Sequence, residues 1–396
     1  MMRRYPAPPG LPLMDTPPLP SSRDGQPRRL LTPEPPQSVA LATTTAKGAF
    51  FRRLPTEIRF RILRLAFGDR TVHYGTIPPD QCFVYPGLSV VDWTKNSKKD
   101  WRWQSSVCHR LPPSGTIDSR GPGYDPQPSD DECVYGWNGR NGFHPQCEHW
   151  PGEGPKKCAI GAMGWLLSCK QAYREGIDVL YATNTFHTAS RAMLLNMHDF
   201  FQPQRLDAIT SVEIVWDFTP WILPDISEEL RIAPPSSDIA TFRQFLQTIP
   251  KLFLNVNKLY VSLQGDMIPK SHGQNSEHKY STKERIQLVE KNIIWKVDEM
   301  VTYLKPHVDF SIAYPTSTYA VQRSLALRYG YIVKQRHETG EVERHWRPVH
   351  KCQPRTGYWV CLGDKDVRRN RARGIIGHKH MPASVSETQY DAFFRS

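Results

Sequence analysis

The chain has 396 residues, a formal net charge of +12, and 39% hydrophobic, 23% charged and 11% aromatic residues. These proportions exclude a wholly disordered chain and leave room for one large domain or two ordinary ones. No apolar run reaches the roughly 18 residues a membrane span needs, and Met1-Met2-Arg3-Arg4-Tyr5-Pro6 leads into prolines, so neither a span nor a secretory signal is expected.

Residues 1–47 contain 11 of the 35 prolines and little periodicity. With no apolar burial to offset the loss of chain entropy, this stretch reads as a disordered tail. Pro9-Gly10-Leu11-Pro12 has the form of a Pro-x-x-Pro ligand, a match that arises freely in such tails.

The first ordered element spans Phe50 to Gly68. Pro55 suits the first helical position, Glu57 complements the helix dipole in the first turn, and Gly68 suits the stop. Ile58, Ile62 and Leu65 recur at i, i+4 and i+7, with Leu63 and Ala66 widening the stripe; Arg59, Arg61 and Arg64 fall off it.

Residues 69–158 then change character, with 11 prolines and ten glycines but also Trp93, Trp101, Trp103, Trp137 and Trp150. They read as an irregular insertion whose tryptophans pack on the body, with a short strand at Cys82–Tyr85 and a mobile loop at Asp118–Asp131. A second helix runs from Trp165 to Tyr181. Leu166, Cys169, Tyr173, Ile177 and Leu180 form its apolar stripe, with Lys170, Arg174 and Asp178 opposite. Gly176 inside it costs about 1 kcal/mol against alanine, which predicts a close contact there. Asn184 ends the unit, and Thr185–Thr188 alternates as a strand.

Helix then strand recurs from there. Ala192–Phe201 precedes Ser211–Trp216, Ile239–Ile249 precedes Lys258–Leu263, and Glu284–Leu304 precedes Val308–Ala313. Asp266–Ser281 reads as a loop. Strand starts about 48 residues apart favour crossovers between parallel strands. The expected class is α+β or α/β, with a helical start and then helix–strand units, in one form a parallel, leucine-rich-repeat-like sheet. In domain terms this gives a tail at 1–47, a helical-start domain at 48–220, a continuation at 221–330 and a basic, partly disordered region at 331–396. Strands are expected in that last region at Tyr329–Gln335 and Tyr358–Leu362.

Most of the excess charge lies on the two ends. Residues 1–47 carry +3 and residues 330–396 carry +6, leaving +3 over the 282 residues between. The body therefore shows no concentration of charge for nucleic acid. The run Lys365-Asp366-Val367-Arg368-Arg369-Asn370-Arg371-Ala372-Arg373 has the form of a nuclear import signal or a phosphate-contacting tail. That makes a nucleic-acid-associated nuclear factor the alternative function.

Eight cysteines without tight spacing fit a reducing, intracellular compartment, cytoplasmic or nuclear. Cys133, His144, Cys147, His149 and Cys158, and separately His345, His350, Cys352 and Cys361, are loose groups without paired zinc knuckles. No nucleophile elbow, His-Glu-x-x-His, Walker loop or dinucleotide fingerprint occurs. No catalytic residue, cofactor or metal is expected, and the chain reads as a non-enzymatic interaction protein.

Two segments carry a resemblance. Leu54-Pro55-Thr56-Glu57-Ile58-Arg59 with Ile62-Leu63 looks like the LPxEIxxxIL opening of an F-box. The stretch from Trp165 through Cys169-Lys170-Gln171-Ala172-Tyr173-Arg174-Glu175 to Leu180-Tyr181-Ala182-Thr183-Asn184-Thr185-Phe186 is similar to the LLxxCRQxYxEAxxxLYxxNTF signature. That signature belongs to a large fungal F-box-like family whose domain has no established function. The resemblance covers about residues 50–220, and Gly176 stands where the family usually has alanine. It implies a compact helical start leading into an α/β body. In true F-box proteins the opening helices bind the adaptor of a cullin-based ubiquitin ligase, and the rest captures a substrate. Leu54, Pro55, Ile58 and Ile62 would supply the docking stripe. The competing expectation, which amphipathic stripes favour, is that they pack against Leu166, Tyr173 and Ile177 in the same chain.

Overall fold

Alternation along each strand decides which side of a sheet a residue faces, and the strands here sort their residues sharply. The computed structural model describes residues 48–77, 102–110, 159–189, 191–217, 238–265, 267–269, 281–334, 343–349 and 356–363. Among them nine strands form one mixed sheet: β1 (Thr71–Ile77), β2 (Arg102–Val107), β3 (Thr185–Thr188), β4 (Ser211–Asp217), β5 (Lys258–Gln264), β6 (Asp309–Tyr314), β7 (Val333–Lys334), β8 (Arg344–Pro348) and β9 (Gly357–Leu362). Their order is β2-β1-β3-β4-β5-β6-β9-β8-β7. The run from β1 through β3, β4, β5 and β6 to β9 is parallel; β2 against β1 and the β7–β8–β9 pairings are antiparallel. The fold is α/β.

The parallel strands always step the same way along the sheet. With the right-handed crossover that nearly all such connections take, a constant step puts every connecting helix on one face. It also leaves no reversal of strand order, the point at which open α/β sheets bind ligands. The register shows the helix-facing row directly: Phe186, Val212, Leu259 and Phe310 sit opposite one another on β3 to β6, and all belong to the main core. The next row, Ile214, Val261, Ile312 and Val360, does the same.

The helices that cover this face are α1 (Ala49–Arg53), α2 (Thr56–Phe67), α3 (Met163–Leu166), α4 (Lys170–Ala182), α5 (Arg191–Leu195), α6 (Met197–Phe200), α7 (Pro203–Ala208), α8 (Asp238–Leu252), α9 (Thr282–Val289), α10 (Trp295–Val301) and α11 (Thr316–Arg328). In α8, Phe242, Phe245, Leu246 and Ile249 are buried at i, i+3, i+4 and i+7, and Phe245 stacks on Trp216 with ring centroids 4.2 Å apart. Ser281 and Glu284 close a capping box at the start of α9. A π turn at Glu290–Ile294 joins α9 to α10. That turn shifts the apolar face so that Ile293, Ile294, Val297 and Met300 are all buried.

The structure corrects several sequence expectations. Residues 69–158 are not irregular at their start, because β1 and β2 lie there and pair as an antiparallel ribbon on the sheet edge. Pro55 is the N-cap of α2, with helix beginning at Thr56. The Trp165–Tyr181 helix is two: Cys169 leaves helical geometry and caps α4, its sulfur accepting from the Ala172 N–H at 3.3 Å. Ala192–Phe201 likewise breaks at Asn196. The sequence reading assigned nothing to α7, α11 or β8. The expectations for residues 1–47, Cys82–Tyr85, Asp118–Asp131 and the basic run Lys365, Arg368, Arg369, Arg371 and Arg373 lie outside the described residues. No helix among the described residues is long and apolar enough to cross a membrane.

Candidate functional site

The two segments that carry the F-box-like resemblance meet in space, and polar groups weld them. Arg59 of α2 donates two hydrogen bonds to Glu175 of α4, Nε to Oε2 at 2.9 Å and Nη2 to Oε1 at 2.7 Å. The same guanidinium donates to the Leu54 carbonyl at 2.6 Å, the Thr56 hydroxyl at 3.1 Å and the Phe51 carbonyl at 3.4 Å. Gln171 adds a third donor to Glu175 at 3.0 Å. The hydrogen bond from Arg59 holds the Glu175 carboxyl below its usual range, against the opposing effect of burial. In front of this pair, the Phe50 and Phe51 rings of α1 pack on Trp165 at 4.9 and 5.6 Å.

At the other end of the two helices Asn184 does the joining. Its Nδ2 donates to the carbonyls of Phe67 and Leu180, both at 2.9 Å, and its Oδ1 accepts the Arg70 N–H at 2.9 Å. It thereby caps α2 and α4 together and aligns β1 beside β3. Gly176 is where α4 meets α3. A Cβ there would fall 2.7 Å from a Trp165 ring carbon and 2.9 Å from a Leu166 methyl. The signature residues Cys169, Glu175 and Asn184, together with Arg59 and Gly176, are therefore all engaged inside the chain.

This weld turns α2 the other way from the sequence expectation. Arg59, Leu63 and Phe67, at i, i+4 and i+8, are its buried residues. Ile58, Ile62 and Leu65 face outward, 44%, 40% and 77% exposed. At 100° per residue their stripe lies roughly a third of a turn from the buried one. The expected packing of Ile58 and Ile62 against Leu166, Tyr173 and Ile177 is overturned; Leu63 and Phe67 join those residues in the core instead. Leu54 is half-buried and Pro55 exposed. Arg52, Arg53 and Arg61 stand exposed on the same two helices, while Arg64 is held by Asp69 at 2.6 and 2.8 Å. A helix with an apolar stripe and a cationic border is the geometry that takes a partner helix or groove.

A second constellation lies on the helix-free side of the sheet, and sequence reasoning missed it. His73, His187 and Glu213 are register neighbours on β1, β3 and β4. The two imidazoles are 4.8 Å apart, and His187 Nδ1 stands 3.2 Å from Glu213 Oε2. Arg110, just past β2, reaches the same carboxylate with two N–H groups at 2.9 and 3.2 Å. Burial alone would push the Glu213 carboxyl up; the hydrogen bond from His187 and the charge of Arg110 outweigh it and hold it at about 2. All four side chains are buried. The row thus ties Arg110, just past β2, to the middle of the sheet. Its members come from four distant points in the chain, and no local spacing could have announced them.

Among the described residues no group of three His, Cys, Asp or Glu side chains is placed to hold a metal. His345 and Cys361 sit on opposite faces of the β8–β9 ribbon, since His345 pairs with Val360. Burial pushes the His345 imidazole down to about 3 and the Cys361 thiol up to about 12. Cys133, His144, Cys147, His149, Cys158, His350 and Cys352 lie outside the described residues.

Residues 133–320 match a family model described as a domain of unknown function (DUF7730). The match covers just under half of the chain. It spans β3 to β6 with their helices, and leaves α1, α2, β1 and β2 before it and β7 to β9 after it. That part of the chain is thus similar to an uncharacterised domain family. No curated protein and no solved structure matches the chain.

Proposed function

We propose that this chain is a non-enzymatic, intracellular protein–protein interaction module of the fungal F-box-like type, with α2 as its docking element. The sharper form of the reading is a substrate receptor for a cullin-based ubiquitin ligase: α2 would hold the adaptor, and the α/β body would hold the substrate. The observation that supports it is the outward stripe Ile58–Ile62–Leu65 on a helix whose buried arginine, Arg59, is committed to Glu175. A helix that served only the core would turn its isoleucines inward. Covering the exposed parts of those three side chains is worth about 3–4 kcal/mol in all, enough for a transient contact and short of a tight one without Leu54 and Pro55.

The test is affinity purification of tagged protein from its own cells, wild type beside Ile58→Asp and Ile62→Asp, with mass spectrometry of what is bound. The reading expects the adaptor and cullin with wild type, and their loss from both variants with folding unchanged. Retention of the same partners by both variants removes α2 from the docking surface.

A further inference from the structure

The sequence places +6 of the charge in residues 330–396. The structure puts part of that excess on the sheet itself, because β7, β8 and β9 extend the body. On β8 and β9, Trp346 and Trp359 are direct register partners, with ring centroids 5.2 Å apart and planes at 74°. Both indoles are half-buried. The Arg344 guanidinium lies 4.6 Å from the Trp359 ring and the Lys334 ammonium 5.1 Å from it. Register places all four side chains on one face. Lys334 pairs with Arg344, Arg344 with Cys361, Trp346 with Trp359, and Trp359 with Ser311, the side away from the helix-facing row.

Gly357 shapes this surface. A Cβ there would fall 2.7 Å from a Trp346 ring carbon, so glycine lets the indole lie down against the strand. The result is two half-buried indoles set at 74° to each other, with the Arg344 and Lys334 cations lying over the Trp359 ring. Cations with aromatics form the composition that binds single strands: bases stack on the rings and phosphates meet the cations. A duplex hides its base faces and would be taken less well.

We propose that the β7–β8–β9 face, through Trp346, Trp359, Lys334 and Arg344, binds single-stranded nucleic acid. This does not depend on the docking reading of α2, and it differs from a tail-borne mechanism in resting on folded residues.

The test is fluorescence anisotropy of labelled oligouridylate and oligothymidylate of about 20 nucleotides, titrated with full-length protein at about 50 and 200 mM salt. A duplex of the same length and a polyglutamate peptide serve as competitors. Preference for single strands over duplex by roughly tenfold or more is expected. Trp346→Ala should weaken binding by roughly tenfold, within the range seen for one stacked base. Lys334→Glu, an exposed change that leaves folding intact, should weaken it and lower the salt slope by about one. Deleting residues 364–396 should leave a remainder that still responds to Lys334→Glu. No binding of either oligonucleotide overturns the proposal, as does binding that vanishes with the deletion and ignores Trp346 and Lys334. Tighter binding of polyglutamate than of either oligonucleotide overturns it in favour of an acidic protein ligand. Uridylate against thymidylate affinity separates RNA from DNA as the source.

Discussion

Adjacent residues 58 and 59 give opposite predictions. Arg59→Met keeps the aliphatic stem and removes a guanidinium that makes five hydrogen bonds, two of them to Glu175. Breaking a fully buried pair costs about 3–5 kcal/mol, because the partner is left charged and uncompensated. The Glu175 side chain is 18% exposed and keeps Gln171, so water relieves part of that penalty. About 2–4 kcal/mol is the expected loss. Ile58→Asp, on an exposed position, should stay within about 0.5 kcal/mol of wild type. Equilibrium unfolding in urea measures both through the midpoint at constant slope. The carboxyl of Glu175 is held below its usual value, so its share of stability is present above the unfolded-state pKa. That share is lost as pH falls through the folded one. The gap between wild type and Arg59→Met should therefore narrow in acid. A neutral Arg59→Met beside an Ile58→Asp that unfolds the protein would refute the orientation of α2.

Glu213 gives a second acid-linked effect. Its folded pKa of about 2 lies below the usual carboxyl value, so its contribution is complete above the unfolded value and fades as pH falls toward 2. Glu213→Gln should cost roughly 3 kcal/mol at neutral pH, with the difference closing in thermal melts near pH 2–3. Gly176→Ala should lower stability by about 1–2 kcal/mol despite alanine's better helix propensity, since the added methyl meets Trp165 and Leu166; a stabilised variant in urea melts would count against that packing. Asp298→Asn keeps one acceptor oxygen for Arg347 Nε and the Tyr358 hydroxyl but removes the negative charge and turns the acceptor of Arg347 Nη2 into an N–H donor, so urea unfolding should show a loss of about 2–4 kcal/mol.

The sheet was legible because its strands announce themselves locally. The runs read from the sequence begin at Ser211, Lys258 and Val308, and in the structure Ser211, Lys258 and Asp309 are register partners. The stop of α4 at Asn184 and the close contact at Gly176 were equally readable, since each is one residue with one physical demand. What stayed hidden was long-range. α2 carries two apolar stripes, Ile58–Ile62–Leu65 and Leu63–Phe67, and periodicity cannot choose between them. The choice is made by Arg59, which finds Glu175 116 residues away. β1 and β2 were obscured because Pro- and Gly-rich surroundings lower the signal of a ribbon that gains stability only beside β3. α11 has little amphipathic contrast: Thr318 and Gln322 are as buried as Tyr319 and Val321, so its pattern resembles no surface helix. The buried row of His73, His187, Glu213 and Arg110 exists only once four strands are in register.

The central claim is that α2 turns its isoleucines to a partner and its arginine to the core. The most direct measurement is hydrogen exchange on α2 in the purified full-length chain, alone and with the proposed adaptor, repeated with Ile58→Asp. The account predicts slowed exchange across Thr56–Phe67 on adding the partner to wild type, no change on adding it to Ile58→Asp, and equal unfolding midpoints for the two proteins. Unchanged exchange in wild type with the partner demonstrably bound elsewhere would contradict it.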